Sequence, residues 1–379
     1  MVWLNNISED QRLLIKFWLP ALINGLLIWA LLILLGDTPL IRASGLALII
    51  VGVTLALRRM GAALAVIGSL SLALSPVFWS QTGGAEGTPA TIVIALFCAG
   101  LTIAIAALIS KRPYIGFGLG VIVFVALFWS QIGTPRSIRL TGFVVAWLMY
   151  LLIDMLLVTN PRPEDAPLIL RDGNLTLVNG AIAARPYHIY GILLLITVGI
   201  INDPLLTILL PCIILSLLFT RTKLHTLYWV CLIGIAIFGI RGIWLDYVIA
   251  QSHLLTLGGW RQGINWLDMI KLIINQFTIA GALLSALGLA RLARWYASLG
   301  IISMVGFAAY WLFGTIYIGS NESLLLLPMY IIFILWITYA VFAISEWSAK
   351  TFITQPVIGR YLVIAVYCIL PITLLLRIV

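Results

Sequence analysis

Apolar runs of roughly 20 residues, separated by short polar knots, recur along this chain from one end to the other. As a helix, each run is long enough to cross about 30 Å of hydrocarbon. The pattern predicts an all-α polytopic membrane protein of about 13 spans. They fall at 13–35, 40–57, 62–79, 90–109, 114–130, 138–158, 188–201, 204–220, 225–244, 268–289, 297–317, 323–344 and 361–377. The pair 188–201 and 204–220 reads either as two short crossings or as a re-entrant hairpin. One transmembrane domain over 1–379 is expected, with two segments outside the membrane. Residues 159–187 contain PLILRDGNLTLVNG, whose alternation around Asp172-Gly173 predicts a small β-hairpin. Residues 245–267 are mildly amphipathic, rich in Trp and Gly, and expected to lie along the outer interface.

Composition turns this pattern into a statement about solvent. The chain is 63% hydrophobic and 9% charged, with a mean hydropathy of +1.14, where a soluble domain carries about 25% charged residues. The net charge of +9 does not point to nucleic acid, because the basic residues sit in short clusters between spans. With the N-terminus in the cytoplasm, roughly two-thirds of the 22 Lys and Arg residues fall on the inner side. That sidedness implies a multi-pass protein of a cell (inner) membrane. The first run, Leu13–Leu35, is too long for a signal-peptide core. Cys98, Cys212, Cys231 and Cys368 all lie in apolar runs without CxxC spacing, so no metal site or disulfide framework is expected.

Candidate chemistry is sparse. Phe-Trp-Ser-Gln occurs at 78–81 and again at 128–131, each followed shortly by Gly-Thr-Pro. Both copies end outward-running helices, which places Trp79 and Trp129 at the outer interface, as anchors or as walls of one external cavity. Asp154, Asn275, Gln276 and Arg241 lie within or at the ends of spans, where a polar group is costly; the plain reading of each is an interhelical hydrogen bond or an interface contact. His188, His225 and His253 stand at span ends and read as polar caps, since none pairs with another ligand at helical spacing. No cofactor is expected. The outer side collects Asp37, Glu86, Arg136, Arg139, Asp203, Asp246, His253, Arg261, Asp268 and Glu322. Arginines there can hold a lipid phosphate bidentately, and a carboxylate can serve as a base on a sugar hydroxyl.

Residues 62–104 resemble the third and fourth spans of the GT-C glycosyltransferase superfamily, through Ser75, Pro76, Phe78, Trp79, Gln81, Ala85 and Glu86. A second resembling patch is NQFTIAGALLSALGLARLARW at 275–295, followed by Leu327, Pro328, Tyr330, Leu335 and Trp336. The resemblance implies a GT-C-like helical bundle, bacterial in character, with an external cavity for a polyprenyl-phosphate-linked sugar. It also implies an acidic base in the first external loop. Here that loop is Gly36-Asp37-Thr38-Pro39, so Asp37 is its only acid and the usual interface helices are missing. Asp37 or Glu86 would be catalytic, with Arg136, Arg139, His253, Arg261, Trp79 and Trp129 binding the lipid phosphate or substrate. The alternative is a non-enzymatic transmembrane subunit of a larger respiratory or photosynthetic complex; a transporter is a third reading, favoured by span number alone.

Overall fold

A computed structural model describes residues 9–82, 138–159, 186–220, 224–249, 254–256, 258–319, 322–351 and 356–378, with isolated helical positions at 100, 103 and 120. The helices are α1 (Glu9–Leu34), α2 (Leu40–Leu57), α3 (Ala62–Ala73), α4 (Pro76–Trp79), α5 (Ile138–Thr159), α6 (Pro186–Asn202) and α7 (Leu210–Phe219). They continue with α8 (Thr226–Ile243), α9 (Gly263–Trp295), α10 (Ala297–Ile316), α11 (Glu322–Leu325), α12 (Leu327–Thr351), α13 (Pro356–Tyr367) and α14 (Ile369–Ile378). Among the described residues there is no strand, only one isolated bridge between Leu255 and Tyr317. Among the described residues, eight helical stretches are long and apolar enough to cross a membrane, and three shorter apolar helices cover 62–73, 188–202 and 204–219. The chain is therefore a multi-pass, all-α membrane protein. The expected spans at 90–109 and 114–130, and the expected hairpin within 159–187, lie outside the described residues apart from the helical ends at Thr159 and Pro186.

Helix α12 is the axis. Its span is 89% buried, and every residue from Leu327 to Val341 is covered. A helix apolar on all sides has no solvent face, so it settles at the centre of the bundle. It packs against α3, α5, α9, α10 and α13. By contrast α1, α8 and the α13–α14 stretch bury little of themselves and turn Leu26, Ile237, Phe238 and Leu362 outward to the lipid. Where α9 crosses α12, Gly288 is required. A Cβ there would run into the carbonyl of Trp336 and crowd the amide of Ala340. Small residues allow such close backbone approach where the bilayer supplies no hydrophobic drive.

Polar side chains inside the bundle join helices. Asn24 of α1 donates to Thr54 of α2 (3.0 Å) and to Ser69 of α3 (2.7 Å), and Thr54 donates to Ser69 (2.8 Å). The indole of Trp147 on α5 donates to the Leu48 carbonyl of α2 at 3.2 Å.

Three expected spans are interrupted. Span 62–79 stops at Ala73, because Pro76 disfavours helix in the residue before it, and Ser75 is extended (φ −73°, ψ 146°). Span 268–289 belongs to a 33-residue helix broken at Thr278 (φ 65°, ψ 169°). A β-branched residue at positive φ is strained. Span 361–377 is two helices meeting at Cys368. The segment expected along the outer interface, 245–267, is divided as well. Trp244–Ile249 winds on from α8 as a π-turn, Gly259–Arg261 is a 3₁₀ turn, and 263–267 open α9.

Gly288→Leu is expected to lower stability by about 2 kcal/mol or more, seen as a reduced melting temperature in detergent. Gly234→Ala is the control, since nothing lies within 4 Å of a Cβ there; its melting temperature should not fall.

Candidate functional site

Alternating helix directions bring 36–39, 74–82, 138–141, 203, 317–319 and 322 to one end of the bundle, the end the charge pattern assigns to the outside. Arg42 lies in the first turn of α2 and is only 1% exposed, making it the largest fully buried side chain among the described residues. Arg139, in the first turn of α5, is 9% exposed. The two guanidiniums are close enough for their like charges to act on each other. Arg139 Nε donates to the Gln81 carbonyl at 3.0 Å. That carbonyl belongs to the 3₁₀ turn Ser80–Thr82, which exists because the Ser75-Pro76 break turns the chain across the bundle. The Gln276 side chain, just before the Thr278 break, accepts from the Val77 amide at 2.9 Å and ties α9 to the same turn.

On a neighbouring face of α5, Asn202 donates to Thr141 at 3.2 Å, and the Asp203 carboxylate lies 3.5 Å from the same hydroxyl. Asp203 also caps the turn Pro204–Leu209 by accepting from the Leu205 amide at 3.0 Å. A small cavity of about 50 Å³ lies between α5, α7, α10 and α12. Its Ser303 hydroxyl already bonds Trp336 and Gly300, so little remains to orient a polar ligand.

Of the residues expected to be catalytic or to bind substrate, Arg139 is the described one that joins this cluster; Gln276 and Asp203, also noted in the sequence, lie in it and beside it. Asp37 lies at the same end but is exposed, at φ 45° in the turn between α1 and α2. Aspartate tolerates this left-handed backbone better than most residues, which gives Asp37 a turn role of its own. Trp79 is half-buried against the core rather than a free interface anchor. Arg261 is exposed over the Trp260 ring at 5.0 Å, in a turn packed on α9 and α10 rather than on α2 and α5. Glu86, Trp129, Arg136 and His253 lie outside the described residues. Arg42 is one of the outer-side basic residues in the sequence's charge pattern, where it reads as a loop charge; its place two residues inside an apolar run is the signal of its burial.

The opposite end holds an ion cluster whose members read separately in the sequence. Asp154 accepts from Arg59 Nη2 at 2.8 Å and sits 3.0 Å from His188 Nε2. His188 is fully buried, so it is not an interface cap; its ring joins α6 to α5. His225 does cap, accepting from the Leu227 amide at 3.3 Å. The Arg59 guanidinium extends over the Phe17 ring of α1 at 5.3 Å. Among the described residues no group of three His, Cys, Asp or Glu is placed to hold a metal. The Asp154–His188 pair joins α5 to α6 and reads as a clamp between helices.

The chain matches no family profile, no characterised protein and no solved structure.

A further acid at the outer-assigned end is Glu322 on α11. Burial, reinforced by the Asp268 carboxylate, pushes it from 4.5 up to about 7. Asp268 itself pairs with Lys271 at 2.8 Å.

Two outcomes follow from these charges. Asp154→Ala strips a buried histidine and an arginine of their shared anion and should cost about 3 kcal/mol. Arg59→Ala should cost less, because Arg59 is partly in water; comparative thermal unfolding ranks the two. For Glu322, the folded protein holds its proton up to about pH 7, while the unfolded chain releases it near 4.5. Stability from this group therefore falls as pH rises between those values and stays lower above them. Glu322→Gln should flatten that slope and raise the melting temperature above pH 7 relative to the unaltered protein.

Proposed function

We propose that this chain is a GT-C-like membrane protein that handles a polyprenyl-phosphate-linked sugar at the Arg42 end, the outer face of a cell (inner) membrane with the N-terminus in the cytoplasm. The observation that carries the reading is the buried neighbourhood of Arg42 and Arg139. Both guanidiniums are drawn out of water and feel each other's charge, which a bound anion offsets. A phosphate or diphosphate, taken through planar forks that deliver paired N–H bonds, is the chemistry that suits such a pair.

In the catalytic form of this proposal, an acceptor hydroxyl attacks the anomeric carbon as the bond to the phosphate oxygen breaks. Its proton passes to a carboxylate, Asp37 or Glu86, and the departing phosphate leaves with its charge opposite the arginines. The short turn at 36–39 favours a second reading, because an exposed Asp37 in a tight turn lacks the walls that exclude water from such chemistry. In that reading the chain is a non-enzymatic subunit that keeps the scaffold and packs against other membrane proteins.

Transfer of labelled sugar from a polyprenyl-phosphate donor, run beside a direct donor-binding measurement, separates the two. Arg42→Gln and Arg139→Gln should each weaken donor binding roughly tenfold or more, a loss of about 1.4 kcal/mol or more. Activity lost on Asp37→Asn or Glu86→Gln would establish the enzyme. Donor binding without transfer supports the subunit, and no donor binding by the unaltered protein rejects the lipid-phosphate reading.

A further inference from the structure

Helices α9 and α12 approach closely at Gly288 and Trp336. Toward the opposite, inner-assigned end a wedge with a cavity of about 250 Å³ lies between them. One face of each helix lines it, with α9 residues spaced four apart (287, 291, 295) and α12 residues from 343 to 350. The chemistry is graded along the wedge. The part nearer the Gly288 crossing is apolar, with Leu287, Ala343 and Ile344; the cations Arg291 and Lys350 follow toward the helix ends, with Trp295 and Trp347 beside them. Trp347 is 66% exposed, as an indole at the bilayer–water boundary would be.

The one carboxylate in the wedge does not neutralise these cations. Glu346 is held by Arg360 of α13 at 2.9 Å. Among the described residues neither Arg291 nor Lys350 makes an ion pair, whereas Arg59, Lys271 and Arg360 all do. A helix C-terminus favours cations through its dipole, which accounts for basic residues in these last turns. It does not account for two of them lining one cavity with an apolar floor and two tryptophans.

We propose that this wedge is a binding site for an anionic phospholipid of the leaflet on the Arg59 side. The phosphate lies between Arg291 and Lys350, the first acyl segments run down over Leu287, Ala343 and Ile344, and the indoles stand at headgroup depth. Basic pockets between membrane helices recognise acidic headgroups through this combination of charge and apolar contact. A zwitterionic lipid presents the same phosphate with its own cation beside it, so it is held less well. The site is separate from the Arg42–Arg139 cluster at the other end and is independent of the reading given to that cluster.

The test uses the full chain in phosphatidylcholine nanodiscs with and without phosphatidylglycerol, with native mass spectrometry of the released protein. The unaltered protein should retain phosphatidylglycerol in preference to phosphatidylcholine. The double variant Arg291→Gln/Lys350→Gln should lose that preference, with affinity down roughly tenfold or more. Arg291→Lys/Lys350→Arg, which preserves charge, should keep it. Arg241→Gln/Lys271→Gln, which removes as much charge at the other end, should also keep it. An unaltered melting temperature of the neutralised variant ties its loss to binding, and the single Lys350→Gln change at the exposed helix end gives an intermediate loss if the double variant melts early. Equal retention of both lipids by the unaltered protein would overturn the site. So would undiminished preference in the neutralised variant, an equal loss in the control pair, or displacement of the lipid by inorganic phosphate alone.

Discussion

Hydrocarbon offers no hydrogen bonds, and this constraint organises the molecule. A polar group carried into the bundle is costly unless it meets a partner inside the protein; the fully buried Tyr310 and Tyr330 hydroxyls are exceptions among the described residues. Asn24, Thr54 and Ser69 meet one another across three helices. Asp154 gathers Arg59 and His188 from two more. The apolar remainder needs only to pack, which it does around α12, a helix with no polar stripe to keep outside. The result is a layered bundle: α12 at the axis, α2, α3, α5, α9 and α10 around it, and α1, α8, α13 and α14 facing the lipid.

The same rule explains the two breaks near the outer-assigned end. Pro76 interrupts the path after α3, and the Val77 amide freed there is met by Gln276. Thr278 interrupts α9, and the nearby Asn275 carbonyl accepts from Arg377 at 3.3 Å. Each break would be expensive alone. Gln276 beside the second break serves the first, Arg377 of α14 serves the second, and the chain between Ser75 and Thr82 passes beside Arg139. The candidate anion site is thus a consequence of irregular backbone, tolerated because it is enclosed by protein.

The two ends of the bundle do different work. At one, arginines are drawn below the surface and sit near each other; at the other, cations stay near water, paired through Asp154 and Glu346 or lining the wedge between α9 and α12. Buried like charges suit capture of a bound anion, whereas half-wet cations beside tryptophan suit the bilayer boundary.

Apolar runs and spacing alone determine that the chain is helical, that it lives in lipid, and about where its helices lie, because a 20-residue apolar run has few other stable solutions in a bilayer. The starts of α2, α5 and α10 were legible within a residue or two, as was the cap role of His225. What the sequence left open is which polar residues meet. Asp154, His188 and Arg59 looked like a lone acid, an interface cap and a topology signal, since their separations of 34 and 95 residues carry no periodic trace. Arg42 looked like a loop charge, because burial depends on neighbours that come from other helices. Helical periodicity reports the face of a single element; partners, depth and the Thr278 break depend on how the elements pack, and that was decided only when the whole bundle closed around α12.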